Sequence, residues 1–280
     1  MTEITLRSNL DAMYTVFLAR VRILSRYRGW FLMDIILPIF LAAMPILLGR
    51  AVAGTSMEGN FLKNVGTANY VAYMVIGANL FMVVSNSLWH FGFWLRNEMQ
   101  MGTLESLYLA PVNKIIILGG VAMYTTLRSL ISFFLAFTLG CFIFRVNPFQ
   151  GDIGIAFLFL LVGLIPVYGL SFLYGSLVLK LKEAEALINI GQWVIGFLMG
   201  IFFPVTVFPR ILRFIAEIFP PTWMNNGVRS ALLGLNYFLG EWYLDLAVLW
   251  AFCIIMPLAG YYVFISIEKS IKKNEGVGKF

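Results

Sequence analysis

Charge is scarce in this sequence: Asp, Glu, Lys and Arg together make up 12% of its 280 residues, about half the share that soluble chains carry. Histidine occurs once and cysteine twice. A single histidine leaves little for a Ser/His/Asp constellation to draw on, and there is no Cys/His cluster with the spacing of a metal site. Cys141 and Cys253 both stand in apolar runs, which argues against a disulfide framework. No G-x-x-x-x-G-K-[ST] loop is present to cradle nucleotide phosphates, so the chain is not expected to hydrolyse ATP. The alternating segments of about 10 residues that build a membrane β-barrel are also missing. A removable signal peptide is not expected, because the first thirty residues mix acids and bases and offer no small-residue cleavage site.

What remains is oil. Hydrophobic residues make up 60% and aromatics 16%, and the mean hydropathy is +0.86. A bilayer core of about 30 Å needs about 20 apolar residues as helix. Six stretches qualify on reading: 30–50, 68–95, 114–144, 153–179, 186–208 and 243–267. In lipid the backbone must satisfy itself, so these are helices. The fold class is an all-α polytopic membrane protein with six spans, a single transmembrane domain over 1–280. Residues 4–28 place Leu6, Leu10, Met13, Phe17 and Val21 at helical spacing among Arg7, Arg20, Arg22 and Arg26. That pattern predicts an interfacial helix within 1–29, its bases among lipid headgroups. The six-span bundle occupies 30–267, and a tail runs from 268 to 280. Pro38 and Pro45 predict a kink or break in the first span.

The net charge of +6 does not point to nucleic acid, because the bases mark topology. With the N-terminus inside, thirteen Lys and Arg fall in inside segments and six outside, and Arg128 falls within a span. Both termini are therefore expected in the cytoplasm, as for a multi-pass protein of a prokaryotic inner membrane.

The polar stretch from Arg96 to Pro111 separates two spans and reads R-N-E-M-Q-M-G-T-L-E-S-L-Y-L-A-P. Glu98, Met101 and Glu105 share one side of a helix, and Leu104, Leu107 and Tyr108 occupy another. A short amphipathic surface helix is predicted. The second inside connection holds Lys180 to Glu185 and is too short to fold by itself. On the other side, residues 203–229 are apolar yet broken by Pro204, Pro209, Pro220 and Pro221, with too few residues between the breaks to span. A re-entrant helical hairpin is the expectation.

Glu98, the run Gly102-Thr103-Leu104-Glu105 and Pro111 resemble, in order and spacing, the cytoplasmic motif of the ABC transporter type-2 permease family. The succession Phe203-Pro204, Pro209, Pro220 and Arg229 resembles the hairpin of the same family. The resemblance implies a permease subunit of an ATP-driven exporter, working as two copies with two copies of a separate ATPase that binds ATP and Mg. It implies that 96–111 is a coupling helix docked in a groove of that ATPase, and Lys182 and Glu183 lie where they would touch the same partner. An amphipathic drug-like or lipid-like substrate is the first expectation and lipid-linked polysaccharide the second. A membrane-embedded enzyme or scaffold without ATP coupling is the rival from another class, but it should offer several ionisable groups at one depth.

Arg128 lies near the middle of the third stretch, beside Thr125, Thr126, Ser129 and Ser132, where a charge costs at least about 2.5 to 3.5 kcal/mol. It should face protein or water. Two readings stand: it lines a transport path with Thr125 and Ser132, or it pairs with a carboxylate. Asp34 is expected in a surface salt bridge with Arg28. His90 reads as an interfacial anchor in preference to a catalytic base. Gly196 with Gly200, and Ser171 with Gly175, have the four-residue spacing of close helix contact, within one subunit or between two.

The charge distribution makes a direct prediction about sidedness. In intact cells, with Cys141 and Cys253 replaced, a membrane-impermeant thiol reagent is expected to modify a cysteine at Ser56 and to spare one at Ser106. The opposite labelling pattern would reverse the topology.

Overall fold

A computed structural model describes residues 6–54, 56–92, 114–179 and 184–274. No strand occurs among them. Ten α-helices follow in order: α1 (Leu6–Arg26), α2 (Arg28–Ala53), α3 (Ser56–Val65), α4 (Tyr70–Ser87), α5 (Lys114–Phe144), α6 (Ile153–Leu179), α7 (Ala184–Leu198), α8 (Arg210–Ile218), α9 (Pro220–Leu233) and α10 (Trp242–Asn274). α4 ends in a π turn, Leu88–Gly92, and a short 3₁₀ turn, Val205–Val207, precedes α8.

Among the described residues five helices are long and apolar enough to cross a membrane: α2, α4 with its extension to His90, α5, α6 and α10. The sixth expected stretch, 186–208, is different. Its helix α7 has 15 residues, about 22 Å at 1.5 Å per residue, well short of a 30 Å core. α2 passes Pro38 and Pro45 as one continuous helix, so neither proline breaks it.

α4 forms the centre, with 94% of its apolar window buried against 17% for α10. Its neighbours are α2, α5, α6, α7 and α9. α10 packs along α6, where Gly169 lets the helices touch: a Cβ there would lie 2.4 Å from the Pro257 nitrogen. Small residues at such contacts replace the hydrophobic drive that lipid removes. α1 packs on the first turns of α5, with Met13 and Val16 against Gly119 and Gly120.

The end of α7 explains the shape of the chain from 199 to 233. Gly200 adopts φ 68°, and this left-handed turn stops the helix. The carbonyls from Leu198 to Ile201 would then be bare in an apolar setting. α9 supplies their donors: Thr222 Oγ1 reaches Leu198 O at 3.4 Å, Asn225 Nδ2 reaches Met199 O at 2.6 Å, and Arg229 Nη1 and Nη2 reach Gly200 O and Ile201 O at 2.6 and 2.5 Å. The Arg229 guanidinium also lies 3.7 Å above the ring centre of Tyr73 on α4, a cation–π contact. Gly77, one turn further along α4, leaves room for it, since a Cβ there would sit 1.8 Å from Nη2. Gly200 thus serves a turn, while Gly196 presses on the Phe81 ring of α4 within this subunit, so the two do not form one small-residue contact face.

Each proline of this region starts an element. Pro204 precedes the 3₁₀ turn, Pro209 precedes α8, and Pro220 and Pro221 open α9, where their missing N–H groups cost no helix bond. Phe203 packs edge-on against Phe197 and Phe208. The paired short helices run to Leu233, four residues beyond the 203–229 segment expected. Asp245, at the start of α10, then accepts the backbone N–H groups of Phe238 and Leu239, both at 2.9 Å. In the same connection burial, aided by Asp152 and Asp245, pushes the Tyr237 hydroxyl above its usual pKa.

Arg229→Met removes donors from two buried carbonyls, and each unsatisfied group costs about 1 to 3 kcal/mol. The detergent-solubilised protein is expected to melt several degrees lower, and Gly77→Val should do the same through the clash with Nη2. Melting curves that overlay that of the wild type would show that the α9 donors do not hold the end of α7.

Candidate functional site

A cavity of about 930 Å³ lies between α2, α4 with its π turn, and α7, with Arg20 of α1 and Arg128 of α5 at its edge. Its volume falls within the range of small-molecule sites, about 300 to 1,000 Å³. One end is polar, with Asp34, Ser85, Asn86, His90, Arg128 and Gln192. The other is apolar, with Leu37, Phe40, Met44, Phe81 and Met82.

The polar end is built around one ion pair. Arg128 Nε donates to Asp34 Oδ2 at 2.7 Å, and both side chains are 8% exposed. Arg128 Nη1 donates to the Tyr124 hydroxyl at 3.2 Å, one turn back on α5. No hydrogen bond among the described residues engages its Nη2. The Asn86 amide nitrogen is buried without a hydrogen-bond partner. His90, on the π turn, meets the Tyr124 ring edge-on at 6.2 Å. The wide π turn brings Trp89 to the same wall, and π turns of this kind recur at functional sites.

Gln192 joins α7 to this wall. Its Oε1 accepts from Ser85 Oγ at 2.6 Å and from Trp89 Nε1 at 2.9 Å, while its Nε2 donates to Asn189 Oδ1 at 3.1 Å. On the opposite side of α7 the Tyr174 hydroxyl of α6 donates to Leu187 O. The short helix is therefore tied at both flanks.

The pairing of Asp34 corrects the expected salt bridge with Arg28. Six residues on a helix rotate the side chain by about 240°, which turns Asp34 away from Arg28 and into the bundle. Arg28 instead donates to Ser25 O at 3.2 Å. Of the two readings of Arg128, the structure realises the carboxylate partner, and the same residue lines the cavity. α5 has 31 residues, about 46 Å, and Arg128 stands near its middle, as expected for the third stretch. Its partner Asp34 stands six residues beyond Arg28 in α2, about 9 Å along the axis.

Thr125 and Ser132 are buried and bonded to carbonyls of their own helix, Val121 O and Ser129 O. Neither lines the cavity. Glu98, Gly102, Thr103, Leu104, Glu105, Pro111, Lys182 and Glu183 lie outside the described residues. Gln192, Asn86, Tyr124 and Arg20 were not singled out from the sequence. An amide inside the apolar stretch of α7 and the run Ser85-Asn86-Ser87 inside α4 were the available signals, since polar side chains in apolar spans need partners. No group of three or more His, Cys, Asp or Glu side chains positioned to hold a metal occurs among the described residues.

Removing one member of a buried ion pair leaves the other unpaired, at a cost of about 3 to 5 kcal/mol. Arg128→Gln and Asp34→Asn are each expected to lower the melting temperature markedly. The double variant Asp34→Asn/Arg128→Gln should recover most of the loss, because two neutral amides carry no buried charge. Additive losses in this double-mutant cycle would show that the two side chains do not interact.

A family model described as ABC-2 type transporter matches residues 14–233, from within α1 to the end of α9. No curated protein matches the chain.

Proposed function

The chain belongs to the ABC-2 type transporter family, the membrane permease component of an ABC transporter, and from that premise we propose that it is the membrane-spanning half of an ATP-driven exporter. Two copies enclose a path, and a separate ATPase, also in two copies, binds ATP and Mg and drives it. The observation that carries this reading is the family match over residues 14–233. The distribution of basic residues supports cytoplasmic termini in the inner membrane.

In this reading α7 is the fifth of six spans and reaches partway through the bilayer. α8 and α9 form the re-entrant hairpin that completes its depth, with Arg229 and Asn225 closing the junction. α1 is the interfacial helix. The cavity between α2, α4 and α7 is one half of the substrate path, and a second copy faces it. Its Met and Phe lining suits an amphipathic drug-like or lipid-like substrate, which stands ahead of lipid-linked polysaccharide.

Residues 96–111 transmit the work. Glu98 and Glu105 are seven residues apart, about 10.5 Å along a helix, and present two acceptors to donors in an ATPase groove. Gly102 between them lets the groove approach closely. Lys182 and Glu183 add a second point of contact. A ligand shifts a conformational equilibrium only through contacts that differ between its states, so these acceptors need donors present in the docked state.

Gly102→Leu should favour the isolated helix by roughly 0.5 to 1 kcal/mol and yet obstruct docking. With Glu105→Ala, it is expected to leave insertion normal while abolishing substrate-stimulated ATPase activity of the reconstituted complex. Full ATPase association and transport by both variants would reduce 96–111 to a surface helix that joins two spans.

A further inference from the structure

Helix α8, Arg210–Ile218, divides its surface lengthwise into three strips. At about 100° of rotation per residue, Leu212 and Ala216 share one strip, Arg210, Arg213 and Glu217 a second, and Ile211, Phe214, Ile215 and Ile218 a third. The first faces the protein, because Ala216 is fully buried in a cluster with Leu198 and Val205. The second is polar along its length. Arg213 Nε donates to Glu217 Oε1 at 2.8 Å with both side chains part-exposed, and Arg210 is exposed. The third strip is bare: Ile211 is 76% exposed, Phe214 67%, Ile218 49% and Ile215 37%. α8 packs chiefly on α7, the 3₁₀ turn and α9, and none of them covers it.

Four large apolar side chains on one contiguous strip mark a contact surface. The order of the strips says what it contacts. Charged residues stand at the first, fourth and eighth positions of the helix, so the polar strip runs the whole length of the apolar one. A helix that dipped steeply into lipid would carry its charges at one end. Charges and apolar groups side by side along the axis suit a helix lying in the plane where water meets hydrocarbon. The height agrees. Phe238, in the connection to α10, packs on the cluster that holds Ala216, and α10 starts four residues later with Trp242 and Tyr243, 37% and 54% exposed. Tryptophan and tyrosine concentrate where a span leaves the hydrocarbon, so α8 lies at the level of the bilayer surface. Arg210 borders the apolar strip, about 40° around the helix from Phe214, and its long stem can lie along that strip while the guanidinium meets lipid phosphates.

We propose that α8 is a membrane-surface anchor. It lies flat in the leaflet where α10 begins, with Ile211, Phe214, Ile215 and Ile218 among the upper acyl chains and Arg210 among the phosphates. The partner is phospholipid. Within the re-entrant hairpin α8 is the arm that stays at the surface, and its grip on the leaflet fixes the height at which α9 meets the end of α7. The proposal depends on the membrane placement of the bundle and not on the direction of transport or on ATP.

The test uses the full chain in phospholipid nanodiscs, carrying Cys141→Ser and Cys253→Ser and one nitroxide-labelled cysteine at a time. The labelled positions are Ile211→Cys, Phe214→Cys and Ile218→Cys on the apolar strip, Arg210→Cys on the polar strip, and Ile254→Cys on α10, where the native side chain is 65% exposed. Collisions with oxygen, which concentrates in lipid, and with a water-soluble nickel chelate report the depth of each label. Labels at 211, 214 and 218 are expected about 5 to 10 Å below the phosphates, and the label at 210 above them. Position 254 is 12 residues into α10, about 18 Å along its axis, and should lie deeper. Melting temperatures measured alongside show that the fold is retained, and three positions on one strip keep the test open if one variant fails to fold. Nickel-dominated collisions at 214 and 218, with an oxygen-rich label at 254, would place the strip in water and overturn the proposal. Protection of 214 and 218 from both reagents would overturn it as well, because protein, a second copy of the chain included, would then cover the strip. If the label at 254 also meets the nickel reagent, the membrane placement of the bundle fails and the anchor with it.

Discussion

A backbone carbonyl in hydrocarbon has no water to turn to, and the end of α7 exposes four of them in succession. Everything between Leu198 and Leu233 is arranged around that constraint. α9 lies across the helix end with Thr222, Asn225 and Arg229 at one-turn intervals, so a single helix face meets the run of carbonyls. Gly77 on α4 is vacant because the guanidinium occupies the space, and Tyr73 supplies an aromatic face where a carboxylate is absent. A buried arginine that bonds carbonyls needs no anionic partner. It completes the hydrogen bonding of a helix cut short.

The other buried arginine, Arg128, solves the opposite problem. It sits against a carboxylate, and the pair links α2 to α5 at the cavity's polar end. The two guanidiniums thus mark two kinds of polar centre in one apolar bundle. One is closed and structural: it bonds two backbone carbonyls and lies over the Tyr73 ring, with its Nε buried and unbonded. The other borders open space, the cavity between α2, α4 and α7.

Much of this was legible from the sequence. Apolar runs of bilayer length identified α2, α4, α5, α6 and α10, and the clustered prolines marked the interruption after α7. The residue succession Phe203-Pro204, Pro209, Pro220 and Arg229 carried the family resemblance, which the match over 14–233 bears out. Other features depended on contacts far apart in the chain. Asp34 and Arg128 are 94 residues apart, and periodicity along one segment says nothing about such partners. A nearer base was the plausible choice until the helix rotation was known. Gln192 was silent for a similar reason: an amide becomes informative only when Ser85 and Trp89 are seen to converge on it. The length of α7 was overread because the apolar run continues past Gly200, and hydropathy does not register a left-handed turn.

The excess length of α5 has a mechanical meaning. At about 46 Å it is longer than a hydrocarbon core of about 30 Å, so part of it would project from any bilayer. Arg128 lies 14 residues from its start, about 21 Å along the axis, near its midpoint. A sideways displacement of the Lys114 end would therefore load the ion pair with Asp34, which ties α5 to α2 at that height. How far α2 followed such a motion would depend on that pair.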